Sequence, residues 1–179
     1  MRDVRIRGAA MTRFGRHLDR TCRDLAQEAL RAALLDAGLD VGDVQGVFAG
    51  NAVDGLVHGQ EAIRSQVALR GTGLLGVPIV NVENACASSS TALHLAWQSV
   101  ACEAQDCVVV IGYEQLSHED RARSYLAFNS LADLDEAAEI FGTEGSGRSG
   151  SMSPDAAASC CTAASRAASR DCFRVRCGS

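Results

Sequence analysis

Asn81-Val82-Glu83-Asn84-Ala85-Cys86-Ala87-Ser88-Ser89-Ser90-Thr91-Ala92-Leu93 is the stretch on which the fold turns. The run Ile79-Val80-Asn81-Val82, opened by Pro78, reads as a strand. The chain then turns through Glu83 to Ala85 and presents Cys86. It enters at once a helix predicted over Ser88 to Val100, with Leu93, Ala96 and Val100 on one face. A thiol at the mouth of a helix suits nucleophilic chemistry, because unpaired amides and the positive end of the helix dipole favour thiolate over thiol. The small neighbours Ala85, Ala87 and Ser88 leave room for an acyl chain. In α/β proteins such strand-to-helix turns lie at the carboxyl edge of the sheet, where ligands bind. The residues alone leave a second reading open, in which Cys86 is a buried structural thiol packed as a small apolar group.

Outward from this turn, strand-like and helix-like segments alternate through the first 113 residues. Val4 to Ala9 alternates like a half-buried strand. Thr21 opens a helix with Asp24 as its capping-box partner, Leu25, Ala29, Leu30, Ala33 and Leu34 are predicted to face a sheet, and Gly38 closes it. Val44 to Gly50 reads as a strand, and Gln60 to Leu69 as a helix with Ile63 and Val67 inward. Cys107-Val108-Val109-Val110-Ile111 is a continuous apolar strand, as expected where both sheet faces are covered. The pattern is βαβαβαβ, an α/β fold with a mostly parallel sheet covered by helices. Glu114 to Phe141 reads as a loop region with a short helix, anchored by Tyr125, Leu126, Phe128, Leu131 and Leu134.

Residues 1–145 are expected to form this domain. Residues 146–179 are expected to be a low-complexity tail, disordered or frameshifted, because Gly, Ser, Ala, Arg and Cys dominate there and too little apolar surface remains to offset ordering entropy. The 179-residue chain is 47% hydrophobic and 22% charged, an ordinary globular balance, with a net charge of −5 that recommends neither nucleic acid nor an anionic membrane as partner. All 17 basic residues are arginine. The amino terminus lacks the apolar block of a signal peptide and no apolar run reaches membrane-spanning length, so a cytoplasmic address is expected. In such a compartment Cys22, Cys86, Cys102 and Cys107 should be free thiols.

The run from Val82 to Leu93 resembles the active-site cysteine segment of thiolases, in particular the sterol-carrier-protein-like, lipid-transfer branch. Gly50-Asn51, Gly59-Gln60 and Arg64 are similar to family features in order and spacing. Val109-Val110-Ile111-Gly112-Tyr113-Glu114-Gln115-Leu116 resembles the family's strand and turn ending in a Gly-x-Glu-Lys-Met pattern. The resemblance covers the amino-terminal half of a thiolase. It implies that Cys86 takes an acyl group from an acyl-CoA as a thioester and passes it on, splitting one hard step into two covalent ones, while nearby amides stabilise the oxyanion. Coenzyme A thioesters enter as substrate, and no further cofactor or metal is expected. The partners implied are acyl-CoA or CoA and a second subunit, in a homodimer or a mixed oligomer with another thiolase-like chain.

Three departures stand out. Ser89 occupies a position where thiolases commonly have glycine, Gln115 replaces the usual lysine, and no His-Pro-x-Gly-Ala or Gly-x-Gly-x-Ala segment matches the family's second half, which supplies its activating histidines. An inactive fragment, or a non-catalytic partner subunit in lipid metabolism, is therefore the alternative. A ketosynthase-like condensing enzyme is the second, favoured by the serines after Cys86. His17, His58, His94 and His118 show no paired spacing and read as surface or satisfied core residues. Cys102 and Cys107 read as buried thiols. His94 lies eight residues along the helix from Cys86, about 12 Å of rise, too far to activate it directly. Cys160, Cys161, Cys172 and Cys177 lack a zinc-site spacing, and Asp133, Asp135, Glu136 and Glu139 read as a solvated charge run. Arg121 and Arg123 read as parts of a solvated loop rather than as phosphate ligands.

Overall fold

A computed structural model describes residues 2–134 of the chain. The boundary at residue 145, the tail and its four cysteines, and Asp135, Glu136 and Glu139 lie outside the described residues. Two units divide at Ala127/Phe128. The first holds all the sheet and begins with α1, Cys22–Ala37. Thr21 caps this helix: its hydroxyl accepts the Asp24 amide, and the Asp24 carboxylate accepts the Thr21 amide at 2.8 Å. Gly38 ends it in the left-handed region at φ 64°, as a residue without Cβ does at little cost. Thr21→Ala is expected to lower stability by about 1 kcal/mol, read as a shift in urea midpoint. The Thr21 amide and hydroxyl hold the Asp24 carboxyl below the usual aspartate range. A depressed pKa stabilises above the unfolded value, so the cap's contribution is full at neutral pH and fades as pH falls through the lowered pKa.

The sheet comprises β1 (Gly46–Gly50), β2 (Ile79–Val82) and β3 (Val108–Gly112), all parallel, in the order β2-β1-β3. Phe48 lies opposite Val80 on one side and Val110 on the other, which fixes the register. Between β1 and β2 come α2 (Asp54–His58) and α3 (Arg64–Ala68). Between β2 and β3 runs α4 (Ser88–Ala101), and α5 (Arg121–Asn129) follows. One sheet face joins Val47, Ala49, Ile111 and Tyr113 to Cys22, Ala26 and Leu30 of α1 and to Ala68, Leu69 and Leu74. Val47 and Leu69 are wholly buried, each contributing about 1.5–3 kcal/mol by leaving water. The other face receives α4.

Several expectations are corrected. Val4 to Ala9 forms no strand: Arg2 pins one end to Ala101, Gln105 and Asp106, the Ala9 amide bonds Asp36 at the other, and Gly8 crosses the end of α1, so the segment is a strap with Ile6 exposed. The buried stripe of α1 is Cys22, Ala26 and Leu30, with Leu25, Ala29, Ala33 and Leu34 half-buried beside it. The helix expected over Gln60 to Leu69 shrinks to Arg64–Ala68, because Ile63 takes φ 48° and points outward, while α2 appears before it. On α4 the buried residues are Ser88, Ala92, Ala96, Val100 and Ala101, and Leu93 is exposed, since small side chains let the helix approach the sheet. Val108, Val109 and Val110 are half-buried rather than covered on both faces.

The short helix expected after Glu114 is present as α5, with Ala127 buried and Tyr125 and Leu126 exposed. In the second unit Phe128 and Leu131 are half-buried and joined by a backbone hydrogen bond at 3.1 Å, and Leu134 is exposed. No described helix is long and apolar enough to cross a membrane.

Candidate functional site

β2 ends at Val82, and the chain must reverse before α4 can lie back on the sheet. The reversal is tight. Ala85 takes φ 44°, a left-handed conformation uncommon for a residue with a Cβ, and Ala85–Ala87 makes a single 3₁₀ turn closed by Ala87 N–H to Asn84 O at 2.8 Å. Ser88 is buried, and its hydroxyl accepts the Asn84 amide at 2.9 Å and donates to Ala85 O at 2.7 Å. The Asn84 side chain donates to Thr91 Oγ1 at 2.9 Å, and the Glu83 carboxylate accepts the Ala85 amide at 2.7 Å. Cys86 sits at the middle of this turn and is exposed to solvent. Two residues on, α4 starts with no side chain capping its first amides. The Ser88 amide closes the 3₁₀ turn on Ala85 O, and the positive end of the helix dipole lies toward the turn, which favours an anion there.

The platform beneath the turn is built from the first and third strands. A Cβ on Gly50 would stand 2.7 Å from Ser88 C and Ser89 N, so only glycine lets α4 come this close. Gly112, its partner across β1–β3, lies directly under the Ser89 hydroxyl. The serine that departs from the thiolase pattern is thus accommodated by a missing side chain on β3.

Next to Gly50, Asn51 is buried at the centre of a polar network. Its amide donates to Tyr113 O at 2.8 Å, and its Oδ1 accepts Arg64 Nη1 at 3.1 Å. Arg64 also reaches Ala52 O at 2.7 Å and Glu61 at 3.0 Å. Glu114 accepts the Ala52 and Val53 amides at 2.8 and 3.1 Å. Burial raises the Glu114 carboxyl above its usual range, against the lowering effect of those two amides. Asn51, Arg64 and Glu114, separated in sequence, therefore lock the loop after β1 to the end of β3.

Gly59 closes α2 at φ 93°, and Gln60 bonds Ala62 O. Gln115, in place of lysine, is buried and donates to His17 O and Arg20 O, tying down the segment before α1. His17 bonds Arg13 O and His94 stacks on Trp97. His58 and His118, unpaired in sequence, lie with ring centroids 5.5 Å apart on the wall of a cavity of about 710 Å³ that also involves Cys22, Asp54, Arg64 and Tyr113. There the Cys22 thiol donates to buried Asp54 at 2.8 Å; burial first, then the carboxylate, pushes its pKa far up and keeps it a thiol. Sequence reasoning missed Asp54, although Cys22, Ala26 and Leu30 share a four-residue spacing that marks Cys22 as inward.

Cys107 is half-buried, its thiol raised chiefly by burial, whereas Cys102 is exposed at the end of α4, contrary to expectation. Arg123 reaches Val57 O at 3.3 Å, a structural tie, and Arg121 is exposed. Asp133 is exposed too. Among the described residues no three His, Cys, Asp or Glu side chains converge as metal ligands.

The chain belongs to the thiolase family: residues 4–155 match the family described as "Thiolase, N-terminal domain". Among curated proteins it is similar to an "Acetyl-CoA acetyltransferase" of Methanocaldococcus jannaschii, 41% identical over 133 residues that make up 74% of this chain and 33% of that protein. It is also similar to "Sterol carrier protein 2" of Gallus gallus, 35% identical over 69% of this chain and 22% of the relative. A third relative is the "Benzoylsuccinyl-CoA thiolase subunit BbsB" of Thauera aromatica, 38% identical over 63% of this chain and 28% of the relative. The chain thus spans a third or less of the length of these proteins.

Proposed function

We propose that the chain is the nucleophile-bearing part of an acyl-CoA acyltransferase and that Cys86 carries the acyl group. In this reading the Cys86 thiolate attacks the thioester carbonyl of an acyl-CoA, the bond from that carbon to the coenzyme A sulfur breaks, and coenzyme A leaves as thiolate and takes up a proton. In this reading backbone amides near the thiol receive the oxyanion between the two steps. The observation that carries the reading is the exposed Cys86 on a tight turn before an uncapped helix, in a chain of the thiolase family. Remaining catalytic groups come from a further thiolase-like segment, in a homodimer or mixed oligomer.

A second reading, in which the chain serves as a non-catalytic partner, is favoured by the engagement of its histidines elsewhere. His94 packs on Trp97, and His58 and His118 pack on each other.

One experiment separates the two. After incubation with acetyl-CoA, the intact mass of the chain is expected to rise by one acetyl group, and Cys86→Ser is expected to carry none. A folded chain with no adduct overturns the acyltransferase reading and leaves the partner reading.

A further inference from the structure

Two of the hydrogen bonds that hold the turn presenting Cys86 meet on one atom. The Ser88 hydroxyl accepts the Asn84 amide at 2.9 Å and donates to Ala85 O at 2.7 Å, so a single oxygen ties together both residues that precede Cys86. Ser88 is 4% exposed, which means water cannot readily replace it as partner. Ala85, one of the two residues so tied, is the one at φ 44°, a conformation that surrounding contacts must maintain. Below, Ser88 rests on Gly50, so its position is set by β1 and not by the turn itself. The oxygen therefore transmits the rigid sheet to the thiol two residues upstream.

We propose that Ser88 is the positioning residue for Cys86: its hydroxyl fixes the turn that holds the thiol at the positive end of α4, and without it the thiol loses part of the stabilisation of its charged form. The proposal rests on the acyl-transfer reading of Cys86 for its purpose, but not for its test. Ser90 supplies a contrast. Its hydroxyl also bonds a backbone carbonyl, Ala87 O at 2.9 Å, yet it is exposed and makes no contact with the residues before Cys86 among the bonds described.

The test is the pH dependence of iodoacetamide alkylation of the full chain, with each cysteine read by peptide mass spectrometry. Exposed Cys102 serves as the internal reference and buried Cys22 as the sign of an opened fold. Ser88→Ala is expected to slow Cys86 relative to Cys102 about tenfold at neutral pH and to move its profile upward, since the thiolate is the reacting form. Ser90→Ala is expected to leave the ratio unchanged, and Ser88→Thr, which keeps the hydroxyl, to retain the parent profile. A Ser88→Ala chain with the parent ratio and profile overturns the proposal, as does an equal shift in Ser90→Ala. Should Cys22 become reactive in Ser88→Ala, Ser88→Thr decides: a parent profile supports the role of the hydroxyl, and a shifted one overturns it. Failure of the acyl-transfer reading would appear instead as a missing acetyl adduct on the parent chain, with the alkylation results unaffected.

Discussion

Gly50→Ala should unfold at a clearly lower urea concentration than the parent chain, with a loss of about 3 kcal/mol, the upper part of the usual range for one methyl forced into a packed interior. The expectation follows from what the methyl would meet. Its nearest neighbours are main-chain atoms, Ser88 C, Ser89 N and Ser89 Cα, all within 2.8 Å, and backbone cannot swing aside as a side-chain tip can. Relief requires α4 to lift from β1, which would carry the Cys86 turn with it and separate Ala92 and Ala96 from the sheet. Gly42→Ala is the matched control, because nothing lies within 4 Å of its missing Cβ. Equal midpoints for the two variants would contradict the close packing of α4 on Gly50.

Arg64→Ala should cost a similar amount, again about 3 kcal/mol, the size expected when charge-assisted hydrogen bonds are lost and their buried partners stay behind. The side chain is 19% exposed and its guanidinium reaches Asn51 Oδ1, Ala52 O and Glu61. Asn51 is 5% exposed, so removing Arg64 strands its carbonyl oxygen away from water. Lysine should recover little, since an ammonium cannot span several oxygens as the planar fork does. Arg20→Ala makes the comparison: its ion pair with Glu28 is a surface contact, at 27% and 48% exposure, and should change stability by under about 1 kcal/mol. If urea unfolding ranks Arg20→Ala at or above Arg64→Ala, the network does not hold the loop after β1 as described.

Much of the fold was legible because it depends on local chemistry. The Thr21–Asp24 box and Gly38 bracket α1 through bonds made within a few residues, and β2 was found because β-branched residues follow a proline. The turn around Cys86 was legible for the same reason: a strand, small residues and a serine-rich helix start follow one another without interruption. What failed depends on partners distant in sequence. Val4 to Ala9 has the alternation of a strand, but Arg2 and Asp36 anchor it along another path. Leu93 fits a helical stripe, yet the stripe that α4 buries is its neighbour, because Gly50 and Gly112 invite the closest approach at Ser88 and Ser89. The Asn51–Arg64–Glu114 network and the meeting of His58 with His118 join residues from 13 to more than 60 positions apart, and no spacing rule on a single chain announces them.

The left-handed alanine at position 85 sets stability against stiffness. An L residue in that conformation carries roughly 1–2 kcal/mol of local strain, so a glycine there would relax the folded chain. The same glycine would widen the range of shapes open to the turn, in the unfolded chain and in the folded one. Alanine keeps the bend wound like a small spring, and the sulfur beside it inherits that narrowness of motion.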